Sequence, residues 1–197
     1  MKKNNNEVTL KIKGSIETFK NLLLKKGYNE TEHFILYDIF MIPEFLEIGQ
    51  LSTREIISNA IIIRKVNDIS KSEIGRDITY KNKKINNKGE ILEQKSIRLK
   101  ILDCQEAEVF MQAIGYKKIM NIIEEDYGYQ KGEMKLTTKD IKNGDKMIEV
   151  ETQLNIEALN TIDKLKRKLK EEDLPLDFEN YFVKKAEVEL NKILKRN

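Results

Sequence analysis

Apolar and polar residues alternate strictly along Glu7-Val8-Thr9-Leu10-Lys11-Ile12-Lys13. Val8, Leu10 and Ile12 fall on one side of an extended chain, and Glu7, Thr9, Lys11 and Lys13 fall on the other. That pattern predicts a β-strand with one buried face. The same build returns at Met147-Ile148-Glu149-Val150-Glu151, where Glu149 and Glu151 share a side. After the first strand, Gly14 turns the chain and Ser15 offers an N-cap. Phe19, Leu22 and Leu23 then give a helical stripe, which Lys25-Lys26-Gly27 stops with a basic last turn and a glycine. A strand follows over Phe34–Phe40 and ends at Pro43. Residues 44–58 read as a connection with one helical turn near Ser52–Glu55, and an apolar run over Ile56–Val66 closes on Arg64-Lys65. Ile78–Lys81 is the next strand, with a Lys/Asn/Gly turn at 82–89, and Ser96–Leu102 alternates again.

The order then repeats. Asp103, with Glu106 three residues on, starts a helix in the manner of a capping box. Val109, Phe110 and Ala113 are its apolar stripe, and Gly115-Tyr116 ends it as Gly27-Tyr28 ends the first helix. Leu10-Lys11-Ile12 and Leu99-Lys100-Ile101 precede the two helices. The halves therefore match as strand, helix, Gly-Tyr and further strands, an internal duplication of a strand-helix-strand-strand-strand unit. Strands near 119–130, 132–138 and 146–153 complete the second copy. Beyond it, a helix capped by Asn155 is predicted to run to about Glu172, and a last helix, capped by Asp177, carries Phe178, Tyr181, Phe182 and Val188. No linker rich in Pro, Gly or Ser divides the chain, so residues 1–197 are expected to form one domain. Two antiparallel four-stranded halves with polar alternate positions predict an α+β protein, an eight-stranded closed β-barrel or tunnel with peripheral helices.

Composition narrows this only a little. The 197 residues carry 36 Lys and Arg against 33 Asp and Glu, a net charge of +3 that demands no nucleic acid. The single cysteine, Cys104, excludes an intrachain disulfide and fits a reducing compartment. The Met-Lys-Lys-Asn-Asn-Asn opening lacks the apolar stretch of a secretion signal, and no apolar run approaches the ~18 residues of a membrane span. A cytoplasmic protein is expected. Neither a P-loop nor a G-x-G-x-x-G fingerprint is present. His33 has no second histidine to share a metal with and reads as a surface residue. Cys104 reads as a small buried residue at a helix start. Residues 164–170 form a basic helical face whose plain reading is solvation, with nucleic acid a distant alternative.

The order of motifs resembles the CYTH family of triphosphate tunnel enzymes, which includes class IV adenylyl cyclases, thiamine triphosphatases and inorganic triphosphatases. The family's opening E-x-E-x-K corresponds to Glu7-x-Thr9-x-Lys11, and its D-x-Y/F to Asp38-x-Phe40. Its L-R-I-R corresponds to Ile61-Ile62-Ile63-Arg64, its L-T-x-K to Ile78-Thr79-Tyr80-Lys81, and its E-I-E to Glu149-Val150-Glu151. Departures accompany each half. Thr9 stands for a glutamate and Ile62 for an arginine. Arg98 and Lys100 occupy positions that are acidic in the family, and Glu124 and Asp126 occupy positions that are basic.

The resemblance implies that Lys11, Arg64 and Lys81 hold the phosphates of a triphosphate-containing small molecule, and Arg98 and Lys100, bases where the family has acids, are expected to join them. It implies that Glu7, Glu149 and Glu151 hold Mg²⁺ or Mn²⁺, with Glu149 and Glu151 also the catalytic carboxylates of triphosphate hydrolysis or ATP cyclisation. The alternative is a catalytically degenerate binding or scaffold module whose lining is a lattice of salt bridges. No membrane partner is expected, and a homodimer is left open.

Overall fold

The computed structural model describes residues 6–87 and 91–195. Eight strands and five α-helices follow one another as β1 (Glu7–Lys11), α1 (Ile16–Lys25), β2 (Asn29–Pro43), α2 (Thr53–Ser58), β3 (Ile61–Asp68), β4 (Glu73–Ile85), β5 (Ile91–Lys100), α3 (Cys104–Ala113), β6 (Tyr116–Lys131), β7 (Met134–Ile141), β8 (Lys146–Glu151), α4 (Ile162–Glu171) and α5 (Lys185–Leu194). The strands form one antiparallel sheet in the order β1-β8-β7-β6-β2-β3-β4-β5. Among the described residues, β1 and β5 are its two ends.

The elements run β1-α1-β2-β3-β4, with α2 between β2 and β3, and then β5-α3-β6-β7-β8. In the sheet, β1 lies beside β8, and β5 beside β4. Glycines follow both α1 and α3. Gly27 and Gly115 sit at φ +84° and +86°, a left-handed conformation that glycine adopts without a Cβ penalty.

The chain packs as two compact units. The first takes the described residues of Met1–His33, Ile85–Glu93 and Glu125–Val183, and the second those of Phe34–Lys84, Gln94–Glu124 and Lys184–Asn197. In the first unit, Val8 and Leu10 of β1 join Ile148 and Val150 of β8. They pack against Phe19 and Leu23 of α1 and Leu165 and Leu169 of α4. In the second, Met41 and Ile63 pack against Ala107 and Met111 of α3. The basic residues of α4 thus ride on a helix whose leucine stripe is core. Their charge faces outward because the opposite side is committed to burial.

Helix starts follow the expected chemistry at Ser15, which accepts from Thr18 N, and at Asp103, which accepts from the amides of Gln105 and Glu106. The turn at Ser52 is a full capping box with Glu55. Several expected boundaries differ: β2 begins already at Asn29 and β5 at Ile91. Asn155 does not cap α4: a 3-10 turn at Glu157–Leu159 intervenes, and Thr161 is the cap. Asp177 does not begin a helix. The segment Pro175–Val183 instead runs along the outer edge of β1, where Thr9 N donates to Tyr181 O at 3.0 Å and Val183 N to Thr9 O at 3.2 Å. Covering an unpaired strand edge competes with helix formation here and wins, so the last helix is α5 alone. The strand begun at Ile78 is longer than its alternation suggests. It reaches Ile85, and of the predicted turn at 82–89, residues 88 and 89 lie outside the described ones. Among the described residues, no helix is long and apolar enough to cross a membrane.

Candidate functional site

Register decides which side chains share the polar face. In the first unit, β1 pairs with β8 so that Glu7 lies opposite Glu151, Thr9 opposite Glu149 and Lys11 opposite Met147. The three carboxylates and Lys11 therefore share one face, and Val8, Leu10, Ile148 and Val150 fill the other. β7 adds Thr137 opposite Glu149 and Lys139 opposite Met147. The two-residue turn between Lys131 and Met134 counts Asp126 of β6 across from Lys139, and the two are joined at 2.9 Å. Lys139 also reaches Glu149 at 3.8 Å, and Lys11 is held by Asp145 at 2.8 Å. Thr31, Gly128, Gln130, Lys135, Glu149 and Glu151 are among the residues lining a polar cavity of about 500 Å³. Gly128 keeps its wall thin: a Cβ there would lie 3.0 Å from Thr31 Oγ1 and 3.1 Å from Glu32 Cβ. Among the described residues, no three Asp, Glu, His or Cys side chains converge as a metal cluster.

In the second unit the face is built on one cross-strand row. Asp38 lies opposite Arg64, and Arg64 opposite Asp77. The Arg64 guanidinium donates from Nε and Nη2 to the two oxygens of Asp38, at 2.6 and 2.5 Å. This is a bidentate pair of the strong kind. Lys185 of α5 enters from outside the sheet and bonds Glu124 at 2.5 Å, with Asp38 at 3.6 Å. Asp38 and Glu124 are only 2% and 1% exposed. Burial pushes the Asp38 carboxyl up, but the Arg64 hydrogen bonds, with Lys185 and Lys81 near by, outweigh it and hold it below the usual range. Burial likewise disfavours the Arg64 charge, and Asp38 more than restores it. Arg98 of β5 lies 3.6 Å from Asp77 and is more than half exposed, and Lys100 at the end of the strand is exposed too. Ile62 lies between Phe40 and Thr79 in the same sheet row, so an apolar contact occupies the position where the resemblance implied a second arginine.

The inward charges at 124 and 126 are thus real and buried, and each is matched by an ammonium. Sequence reasoning named the acids but missed both partners. Lys139 was recoverable, because it alternates with Lys135 and Thr137 and counts across from Asp126. Lys185 carries no such local signal, since only tertiary packing brings α5 to the sheet. His33 is half-buried rather than a plain surface residue. Its Nε2 lies 2.7 Å from Glu125 Oε1, and its ring stacks on Tyr127 at 4.2 Å. Cys104 lies 3.8 Å from Arg64 O, and burial pushes its thiol up, the opposite of an activated nucleophile.

No known protein family's profile matches the chain, and no curated protein matches it in sequence. Solved structures do match in fold. A Pyrococcus horikoshii protein superposes with a TM-score of 0.66 at 19% identity, over 94% of this chain and 99% of its own. An adenylate cyclase candidate from Vibrio parahaemolyticus gives 0.55 at 14% identity, covering 98% of this chain and 99% of its own. An adenylyl cyclase candidate from Hippeastrum, whose dominant activity is that of a triphosphatase, gives 0.56 at 13%, covering 89% and 91%. At these identities the likeness is one of fold: the chain shares its architecture with adenylate cyclase candidates, one of them chiefly a triphosphatase.

Proposed function

We propose that the chain is a CYTH-type binding module that holds a triphosphate, nucleotide or inorganic, or a similar polyanion, without turning it over. The observation that carries this reading is the charge balance of the second unit's polar face. Arg64, Lys81, Arg98, Lys100 and Lys185 stand there against Asp38, Asp77 and Glu124. The half-buried cations Arg64 and Lys185 are spent on the buried acids. The surplus lies on Arg98 and Lys100, where solvent and a ligand can reach it. Exposed arginine and lysine from one strand offer a fork and a point charge to successive phosphates. The closed barrel around a tunnel belongs to this proposal too; among the described residues, hydrogen bonding joins the strands as far as β1 and β5.

Turnover would ask more. Metal-dependent hydrolysis or cyclisation needs carboxylates converging on an ion, and a base or orienting group free to act. Glu149 is engaged by Lys139, Thr9 supplies no carboxylate opposite it, and the acids of this face do not fit a resident divalent ion. One observation favours the enzymatic reading, the direct opposition of Glu7 and Glu151. Titration calorimetry with tripolyphosphate in EDTA tests the binding claim. Saturable heat is expected, weakened about tenfold by either Arg98→Ala or Lys100→Ala. No heat from the wild type refutes it.

A further inference from the structure

On its sheet face, each unit holds an ammonium between two carboxylates. In the first, Lys139 Nζ lies 2.9 Å from Asp126 and 3.8 Å from Glu149. In the second, Lys185 Nζ lies 2.5 Å from Glu124 and 3.6 Å from Asp38. All four acids come from the sheet's polar face, and three of them are nearly fully buried. Two carboxylates gathered on one cation is also how a divalent ion is held, with water or phosphate oxygens filling its remaining positions. A tethered ammonium supplies one positive charge there, neutralises the acids and never dissociates.

We infer that Lys139 and Lys185 are built-in cations occupying the seats that divalent ions would take, so that the polar face is charge-balanced without metal. The inference separates the two units cleanly. Lys139 bonds Asp126 at 2.9 Å and lies 3.8 Å from Glu149, which remains about one-third exposed. Removing that ammonium leaves two carboxylates facing one vacated position that solvent ions can reach. Asp126 is held in place by its strand and Glu149 by its pairing with Thr9 and Thr137. The seat in the second unit is closed off, because Asp38 and Glu124 are almost wholly buried and Arg64 also binds Asp38. Lys139 is therefore the seat where a metal can be made to replace the side chain.

The experiment is a Mn²⁺ titration followed by electron paramagnetic resonance, with no phosphate compound present, so its outcome is independent of whether the protein binds triphosphate. Wild-type protein is expected to leave the free Mn²⁺ signal unchanged up to about millimolar ion, and EDTA is expected to leave its melting temperature where it was. Lys139→Met keeps the length and apolar stem of the side chain and removes the charge. It is expected to bind one Mn²⁺ at least about tenfold more tightly than wild type, and a further Glu149→Gln change is expected to abolish the gain. Lys139→Arg, which keeps the cation, is expected to behave as wild type. Two results overturn the inference: saturable Mn²⁺ binding by the wild type that Glu149→Gln removes, or a folded Lys139→Met variant that gains no Mn²⁺. If Lys139→Met fails to fold, the wild-type titration and the EDTA comparison decide the matter alone.

Discussion

Asp38 and Asp126 hold matching places on β2 and β6. Each lies eleven positions past a left-handed glycine, Gly27 and Gly115, and each is held by a cation on the next strand, Arg64 and Lys139. Both carboxylates are nearly fully buried. The two sites therefore match in charge as well as in strand order, and they differ in the cation partner. Arginine makes a two-pronged bond in one, and a lysine bridges to a second acid in the other.

This equivalence predicts a large and asymmetric cost of breaking the pair. Asp38→Ala leaves a mostly buried guanidinium without its two acceptors, and a loss of about 3–5 kcal/mol is expected. Replacing Asp38 and Arg64 together by apolar residues is expected to recover much of that loss. Urea unfolding of the single and double variants measures both. An Asp38→Ala protein as stable as wild type would show that the pair contributes nothing.

The pH dependence follows from the depressed Asp38 carboxyl. Its folded-state pKa lies below the ordinary value of about 3.9. The native state thus binds fewer protons than the unfolded chain in the acid range below that value. The contribution is fully present above the unfolded pKa and is lost as pH falls through the folded one. Stability measured from pH 6 downward is expected to decline less steeply below about pH 4 in Asp38→Asn than in wild type. Equal slopes would mean that the carboxyl is not held low.

Tyr28, Tyr127 and Tyr129 give the alkaline counterpart. Burial is the first cause in each, reinforced by Glu172 at Tyr28, Glu125 at Tyr127 and Glu30 at Tyr129, and all three phenols are pushed above their ordinary value. A raised folded pKa stabilises the protein below the unfolded value of about 10 and ceases to do so as pH rises through the folded one. Ultraviolet titration at alkaline pH is expected to show Tyr28, Tyr127 and Tyr129 ionising only with unfolding. A single transition near the ordinary phenol value would contradict this.

Gly128→Ala tests the thin wall of the first unit's cavity. The new Cβ meets Thr31 and Glu32 at 3.0 and 3.1 Å, and one of the strands has to yield. A destabilisation of about 1–3 kcal/mol is expected in urea unfolding. A change within about 0.5 kcal/mol would mean that the two strands separate freely.

Much of this was legible in the residues themselves, and for a physical reason. Strict alternation over Glu7–Lys13 fixes the inward face of β1, so the pairing of Glu7 with Glu151 needed only the similar alternation at Met147–Glu151. The ends of α1 and α3 were readable because Gly27 and Gly115 take up the same left-handed conformation. The segment from Pro175 to Val183 was not readable, because its helical spacing of aromatics competes with hydrogen bonds to β1 that no local pattern reveals. Lys185 stayed hidden for the same reason: its acid partners are 61 and 147 residues away along the chain.

The most direct test of the binding account is phosphorus NMR of tripolyphosphate and of ATP, each mixed with pure protein, once with Mg²⁺ and once with EDTA. The account predicts that the ligand lines broaden or shift in both conditions and that no orthophosphate, pyrophosphate or cyclic AMP accumulates. Product peaks that need Mg²⁺ would contradict it in favour of a metal-dependent enzyme, and lines unchanged in both conditions would contradict it by removing the ligand.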